Sequence, residues 1–216
     1  MPTLSEADSK ALLARYGVPV PAESVVATPG EAGAAAALIG FPVAVKLCGP
    51  AIAHKTERGL VRLGVPDAAA AERAAAALLA QAGPDDGDVG VLVSAMVRGT
   101  RELIAGAAHD PQFGPCVMLG VGGVLAELAG DVWFRLAPLA EVDAEELIDD
   151  VRPGSLFGPV RGEPAVDRAA LATVLAGLGR LIAEDPRVRT VDCNPLVVSG
   201  GRPVAVDALV ELAASA

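Results

Sequence analysis

The sequence of 216 residues contains little cysteine, only Cys48, Cys116 and Cys193. The number is odd, the spacing is wide and there is no CxxC pair, so a disulfide framework and a thiolate metal site are both disfavoured. Small buried side chains are expected instead. The polar N-terminus and the charge-interrupted alanine runs match neither a secretory signal nor a membrane span. We therefore expect a cytoplasmic globular protein.

Positive charge is scarce as well, and the formal net charge at pH 7 is −10. Broad attraction to nucleic acid or to an anionic membrane is therefore excluded as the main function. An anionic ligand needs a local basic site, and the stretch 43–62 is one, with four cations against a single acid. The cations are Lys46, Lys55, Arg58 and Arg62, and the acid is Glu57.

Lysine is rarer than arginine, three residues against fourteen, and there are two histidines. Lys46, His54 and Lys55 nevertheless fall within ten residues of one another. Where a chain prefers arginine so strongly, a retained lysine indicates that a compact point charge is needed, as at a phosphate. The alternative is that Lys46 extends into water from an exposed strand.

Helix and strand signals alternate along the chain and predict an α+β (α/β) fold. Ser5 and Thr28 stand at capping positions where helices begin, and further helices follow Asp67 and Asp167. The expected strands are 25–27, 41–48, 60–65, 89–97, 101–108, 115–120, 133–139, 190–198 and 202–209.

The two halves of the chain are expected to be separate lobes, 1–97 and 98–216, because no long linker or internal repeat is present. Such lobes enclose a cleft, which is where ligands usually bind. Within the first lobe, the segment GPDDGD at 83–88 is expected to be a disordered turn.

The loop that follows the strand 41–48 carries groups suited to phosphate. It offers backbone amides, a hydroxyl and cations, which together favour a flap over phosphates, although the Walker pattern is missing. Its notable residues are Gly49, His54, Lys55, Thr56 and Gly59. A neutral imidazole can attack phosphorus, so His54 is a candidate nucleophile. The alternative is a histidine with no chemical role.

The glycine-rich segment MLGVGG at 118–123 is a weak dinucleotide signal, because Leu125 stands where the third glycine is required. It predicts a tight turn, which either lets the backbone approach a ligand or has only a structural purpose.

Three oxygen-bearing residues near the C-terminus form a candidate metal site. Asp192 and Asn194 are two apart on one strand and share a face, and a hairpin would bring Asp207 beside them. Carboxylate and amide oxygens, completed by nucleotide phosphates, are typical Mg²⁺ ligands. Turn-capping by these side chains is the alternative.

Taken together, these segments resemble the ATP-grasp domain of ADP-forming acyl-CoA synthetases. The resemblance is close to the β subunit of acetate-CoA ligase and more distant to that of succinyl-CoA synthetase. It covers nearly the whole chain. The matching segments include LSEADSKALLARYGVPVP, EAGAAAALIGFPVAVKL, AHKTERG, RELIAG, DPQFGP, LGVGGVLAEL, GDVWFRLAPL, VRGEPAVD, VDCNPLVV and VAVDAL. The resemblance implies an ATP-grasp fold whose two lobes enclose a nucleotide cleft.

The resemblance also implies roles for residues of the first lobe. Lys46 corresponds to a lysine that binds nucleotide phosphates, and the stretch His54–Gly59, with Lys55, Thr56 and Gly59, to the mobile loop above them. His54 matches a histidine that is transiently phosphorylated in acetate-CoA ligases and carries a phosphoryl group between subunits.

Further implied roles concern the hinge and the metal. Met96 and Val97 match the adenine-contacting hinge, and Glu102 the acid that contacts the nucleotide just beyond it. Asn194 and Asp207 match the Mg²⁺ ligands, with Asp192 as a supporting acid. ATP or ADP and Mg²⁺ are therefore the expected cofactors.

Several departures from the family pattern stand out. The hinge reads SAM instead of QEM, so Ser94 and Ala95 cannot supply long polar side chains, which affects nucleotide affinity or the choice between ATP and GTP. Leu60 and Val61 follow Gly59 where GGV is usual, and Thr190 replaces a common acid.

The length leaves no room for a CoA-binding domain, so a CoA-binding α subunit is the expected partner in a hetero-oligomer, or the chain is an excised domain or a relic. The resemblance implies an ADP-forming acid-thiol ligase. The alternatives are a regulatory nucleotide-binding module without turnover and a scaffold without ligand.

Overall fold

The computed structural model describes residues 2–52, 55, 58–123, 132–160 and 162–214. The chain divides into two compact units. The N-unit comprises Thr3–Asp8 and Pro21–Met96, and the C-unit comprises Met1–Pro2, Ser9–Val20 and Val97–Ala216. The lobe bounds 1–97 and 98–216 stay a prediction.

The N-unit contains a four-stranded antiparallel sheet covered by two alanine-rich helices. Its strands stand in the order β1-β4-β2-β3. They are β1 (Glu23–Val26), β2 (Val43–Cys48), β3 (Val61–Val65) and β4 (Gly90–Ala95). The helices are α2 (Pro29–Ile39) and α3 (Ala68–Leu79), and the start of α1 (Glu6–Arg15) also belongs to this unit.

Local capping explains where these helices begin, as the sequence predicts. The Ser5 hydroxyl accepts a hydrogen bond from the Asp8 amide at 3.1 Å, and Thr28 and Glu31 form a complete capping box. Alanines on the inner faces of α2 and α3 pack on the valines of β2 and β4, and small side chains allow this close approach.

The prediction of a disordered turn at 83–88 is wrong. Pro84–Asp86 is a short 3₁₀ helix, and Asp86 is buried. Its carboxylate accepts a hydrogen bond from the Gly83 amide at 2.8 Å and binds Arg58. A distant arginine therefore orders a segment whose composition alone favours disorder.

The C-unit contains a six-stranded antiparallel sheet in the order β10-β8-β5-β6-β7, with β9 also paired to β8. The strands are β5 (Arg101–Asp110), β6 (Gly114–Val121), β7 (Val132–Leu136), β8 (Val188–Ser199), β9 (Arg202–Ala205) and β10 (Leu209–Leu212). The helices are α4 (Glu141–Asp150) and α5 (Arg168–Glu184). A 3₁₀ turn lies at Gly154–Phe157.

Helix α5 buries the apolar face that the sequence predicts, because leucine, isoleucine and valine recur at helical spacing. The buried side chains include Leu171, Val174, Leu175, Leu178, Leu181 and Ile182. The α+β class is confirmed. Among the helices described, none has the length and apolar character needed to cross a membrane.

Candidate nucleotide-binding site

Lys46 lies on the central strand β2 of the N-unit and is buried, with 7% of its surface exposed. Its Nζ donates a hydrogen bond of 2.6 Å to Oε1 of Glu6. The interpretation of a lysine extending into water is therefore wrong. A buried ammonium is stable only beside a compensating anion, and Glu6 provides one.

Lys55 shares the same carboxylate. Its Nζ donates to the other oxygen of Glu6, and Lys55 is also buried. The Lys55 carbonyl accepts a hydrogen bond of 2.8 Å from the Leu60 amide, which closes the loop at its base. We call Glu6, Lys46 and Lys55 the lysine clamp. It brings together two of the cations that the sequence assigns to phosphates.

Glu6 is a residue that the sequence reading missed. An acid in the first turn of a helix is usually explained by the helix dipole. Its partners lie 40 and 49 positions further along the chain. No local pattern connects residues at such separations, so only the fold reveals the contact.

The loop 49–59, which the sequence assigns to the nucleotide phosphates and which we call the phosphate loop, is described in part. His54 and Thr56 lie outside the described residues. Gly59 has φ of +66°, and its carbonyl accepts a hydrogen bond of 2.8 Å from Arg62. Arg58 binds Asp86. The C-terminal end of the loop is thus fixed to the N-unit through two arginines.

The predicted hinge follows strand β4. The Met96 amide lies 3.4 Å from the Pro42 carbonyl, and Met96 and Val97 are half-buried. Ser94 is buried with 3% of its surface exposed. Because the Ser94 side chain is short and enclosed, the hydrogen bonds that this segment can offer to a ligand come mainly from its backbone.

Glu102 borders a pocket of about 270 Å³ in the C-unit. The Gly122 amide donates a hydrogen bond of 2.8 Å to the Glu102 carbonyl. Gly123 has φ of +69°, and a Cβ there would lie 3.0 Å from Oε2 of Glu102. The predicted glycine-rich turn therefore lies directly against the candidate acid, where larger residues would displace it.

Arg101 also lines this pocket, and the sequence reading gave it no role. Its guanidinium is buried and donates to the carbonyls of Gly158 and Pro164 and to the Glu163 carboxylate. The Thr100 amide donates to the same carboxylate. Arg101 thus holds Gly158, Glu163 and Pro164 through these hydrogen bonds.

The three candidate metal ligands lie along strand β8 and the bend after β9. Asp192 and Asn194 share one face of β8, and both are exposed. Leu196 pairs with Ala205 and Asp192 pairs with Leu209, so the bend holding Asp207 lies alongside Asn194. The predicted proximity of Asp207 to Asp192 and Asn194 follows from this pairing.

Electrostatics support this proximity. Displacement of water by neighbouring atoms raises the pKa of Asp192, although one side of the residue is open to solvent, and the negative charge of Asp207 raises it further. Asp207 also accepts a hydrogen bond of 2.9 Å from the Ala208 amide. The two carboxylates repel each other, and a cation bound between them would offset this repulsion.

The neighbouring Cys193 points to the opposite, buried face, where burial raises the pKa of its thiol to about 12. Such a thiol is inert at neutral pH. Cys48 is buried like Cys193, as expected, and Cys116 is half-buried.

A pocket of about 370 Å³ adjoins Asp192 and Asn194. Its walls are largely apolar and include Ile104, Met118 and Phe134, whereas Asp192 and Asn194 supply polar groups. Within the described part of the chain, no cluster of three His, Cys, Asp or Glu side chains could hold a metal. Two carboxylates and an amide nevertheless fit Mg²⁺, which takes few protein ligands and completes its shell with phosphates and water.

Comparisons with known proteins agree with this geometry. The profile of the ATP-grasp domain matches residues 2–212. The β subunit of ADP-forming acetate–CoA ligase I of Pyrococcus furiosus is 36% identical over 208 residues, which cover 95% of this chain and 90% of that protein.

Solved structures give the same result. Acetyl-coenzyme A synthetase 1 of Ca. Korarchaeum cryptofilum, in complex with coenzyme A and Ca-AMPCP, matches with a TM-score of 0.91 and 33% identity over 98% of this chain and 94% of that one. A second structure of that protein contains coenzyme A and Mg-AMPPCP, with a phosphohistidine segment pointing towards the nucleotide site. It matches with a TM-score of 0.82 and 34% identity over 96% of this chain and 92% of that one. The chain therefore belongs to the ATP-grasp domain family and, within it, to the β subunits of ADP-forming acyl-CoA synthetases.

Proposed function

We propose that this chain is the nucleotide-binding subunit of an ADP-forming carboxylate–CoA ligase. With a CoA-binding α subunit it catalyses acyl-CoA + ADP + phosphate ⇌ carboxylate + CoA + ATP. The observation that carries the proposal is the lysine clamp, in which two buried ammonium groups of the predicted phosphate segment converge on one carboxylate. Two lysines that only extended from the surface into solvent would not be buried against a shared carboxylate.

The N-unit is assigned the phosphates of the nucleotide. Lys46 and Lys55 neutralise charge on the phosphate oxygens, and the loop ending at Gly59 covers them. Phosphoryl transfer needs mainly positioning and charge neutralisation, so fixed cations are the principal contribution of this unit. Met96 and Val97 contact the adenine through the backbone of the hinge.

The C-unit is assigned the metal and the remainder of the nucleotide. Asn194 and Asp207 hold Mg²⁺, with Asp192 as the supporting acid, and Glu102 contacts the nucleotide next to the Gly123 turn. When bound, Mg²⁺ supplies charge neutralisation at the phosphate oxygens. The apolar residues Ile104 and Met118 exclude water from this side of the site.

His54 is assigned the phosphoryl relay. A neutral ring nitrogen attacks the γ-phosphorus of ATP, the bond to the β–γ bridging oxygen breaks, and ADP leaves with that electron pair. The reverse step returns the phosphoryl group to ADP. The phosphohistidine passes its phosphoryl group to the partner subunit.

Labelling with γ-³²P-ATP tests this assignment. Acid-labile label is expected on the wild-type chain, and its loss is expected in His54→Ala. His109 is the only other histidine in the sequence, so His109→Ala is the matched control and retains the label. Undiminished label in His54→Ala removes this residue from the relay.

The altered hinge keeps a second candidate open, a regulatory nucleotide-binding module without turnover. The buried Ser94 is the observation that favours it, because the longer polar side chains of the family are missing there. Tight Mg-ATP binding by calorimetry without turnover beside any neighbouring α-type subunit supports this candidate. Turnover with such a subunit rejects it.

A further inference from the structure

Glu6 lies outside every segment to which the nucleotide site is assigned, yet it binds both lysines of the clamp. Its side chain is almost fully enclosed, with 1% of its surface exposed. Lys46 Nζ lies 2.6 Å from one oxygen, and Lys55 Nζ binds the other. The two lysines therefore donate to different oxygens of Glu6.

We propose that Glu6 is a positioning residue for nucleotide phosphates, an inference that rests on the proposed function. Its carboxylate holds one ammonium group at each of its two oxygens, which fixes the two groups relative to each other. An ammonium has three donors, so each lysine can bind Glu6 and a phosphate oxygen at once. Glu6 stays in place when the nucleotide binds.

The attachment of Glu6 makes this positioning rigid. The residue opens helix α1, whose first turn is fixed by the Ser5 hydroxyl, which accepts from the Asp8 amide at 3.1 Å. Lys46 lies in the middle of the sheet, on strand β2 between β3 and β4. A capped helix end and a central strand thus hold the two sides of the clamp, and only Lys55 belongs to the loop.

The charge balance also favours a permanent role. Two buried ammonium groups without an anion would repel each other and lose protons, because low dielectric disfavours the charged form. The clamp itself has two positive charges and one negative charge, so this group of three residues keeps a net positive charge. Glutamine has the same shape without the charge, and its NH2 group stands where one of the two accepting oxygens was and cannot accept from a lysine.

The opposite arrangement is that Glu6 occupies the place of a phosphate and must be displaced. The two arrangements differ in the sign of their effect. A positioning carboxylate strengthens nucleotide binding, whereas a competing one weakens it. Glu6→Gln therefore separates them.

The first experiment measures Kd for Mg-ATP and for adenosine by calorimetry. Glu6→Gln is expected to weaken Mg-ATP about tenfold, as for loss of a charge-assisted hydrogen bond, and to leave adenosine unchanged because it has no phosphate. Glu31→Gln is the matched control, since it removes an exposed carboxylate from the same unit and glutamine preserves the capping box.

Three outcomes would count against the proposed role of Glu6. Tighter or unchanged Mg-ATP binding overturns the proposal, and equal weakening of adenosine assigns Glu6 a purely structural role. Failure of the wild-type chain to bind Mg-ATP removes the proposed function itself, and this inference with it.

A second measurement guards against simple unfolding. The sequence has only three lysines, and the third, Lys10, is buried on helix α1 four residues after Glu6. Acylation by an amine-reactive reagent, followed by mass spectrometry, is expected to rise several-fold at Lys46 and Lys55 in Glu6→Gln, while the far-UV circular dichroism spectrum stays that of the wild type. Loss of the wild-type spectrum contradicts the proposal, because Glu6 would then support folding in general.

Discussion

The terminal nitrogen Nη2 of Arg58 lies 2.8 and 2.9 Å from the two carboxylate oxygens of Asp86. This ion pair links the end of the phosphate loop to the 3₁₀ turn Pro84–Asp86. Asp86 also accepts a hydrogen bond from the Gly83 amide. The loop is therefore fixed from two directions, by Glu6 through Lys55 and by Asp86 through Arg58.

The first prediction concerns the pH dependence of stability. The Gly83 amide and then Arg58 hold the pKa of Asp86 below its ordinary value of 3.8. Because the folded pKa is lowered, the stabilisation is fully present above the ordinary value and is lost as pH falls through the folded value. Asp86→Asn is expected to be less stable at neutral pH and to lose less stability in acid.

Urea unfolding at a series of pH values from about 2 to 7 measures this change. The neighbouring Asp85 is exposed, so Asp85→Asn is the control and should keep the wild-type pH dependence. An Asp86→Asn profile parallel to the wild type in the acid range would show that this carboxylate does not stabilise the fold.

The second prediction concerns metal-linked stability in the C-unit. Asp207→Asn removes one carboxylate of the Asp192–Asp207 pair, so Mg-ATP should bind more weakly. A tenfold weaker affinity lowers the stabilisation by excess Mg-ATP by about 1.4 kcal/mol. The melting temperature with Mg-ATP should therefore rise less than in the wild type.

Thermal unfolding with ATP, with and without Mg²⁺, checks this expectation. Glu184→Gln removes an exposed acid at the end of α5 and serves as the control. If Asp207→Asn keeps the full Mg²⁺-dependent rise, Asp207 is not a ligand.

The third prediction concerns the glycine-rich turn. Gly123→Ala and Gly114→Ala both place a side chain at positive φ, with an expected loss of about 1–2 kcal/mol each. A Cβ at Gly123 also approaches the Glu102 carboxylate to 3.0 Å, whereas nothing lies within 4 Å at Gly114. Only Gly123→Ala should therefore weaken nucleotide binding.

Calorimetric titration with Mg-ATP, beside urea unfolding of both variants, separates the two effects. Equal nucleotide affinity in the two variants would mean that Glu102 does not contact the nucleotide.

The fourth prediction concerns packing in the C-unit. A Cβ at Gly177 of α5 would clash with the Tyr16 carbonyl oxygen. Because this oxygen belongs to the backbone, it cannot turn away as a flexible side chain could. Gly177→Ala should destabilise the protein by about 1–3 kcal/mol, as overpacking usually does. Gly30 in α2 has open space around it, so Gly30→Ala is expected to be neutral or stabilising.

The free energy of unfolding in urea measures both variants. A stable Gly177→Ala would show that α5 and the segment containing Tyr16 can move apart.

Local features of this molecule were predictable from sequence, because their causes are local. Capping at Thr28 and the apolar face of α5 follow from residues three or four apart. The proximity of Asp207 to Asn194 follows from strand alternation and a tight turn. Helix α4 was not predicted, since no element was assigned to the segment after 139, and its acidic sequence EVDAEELIDD carries only a short apolar face.

Contacts between distant residues were not predictable. Glu6 reads as a helix-start acid, and Asp86 reads as part of a disordered turn. In the fold, each of these carboxylates binds a cation from a distant part of the sequence, Lys46 for Glu6 and Arg58 for Asp86. The scarcity of lysine singled out the segment that contains Lys46 and Lys55, but it could not predict their carboxylate partner.

Burial of the lysines also shapes the outer surface. All three lysines of the sequence lie in the described part of the chain, and all are buried. The cations that face solvent there are arginines, whose guanidinium groups keep their charge and are poor acceptors of acyl groups at neutral pH. The described surface therefore offers few lysine amines to electrophiles.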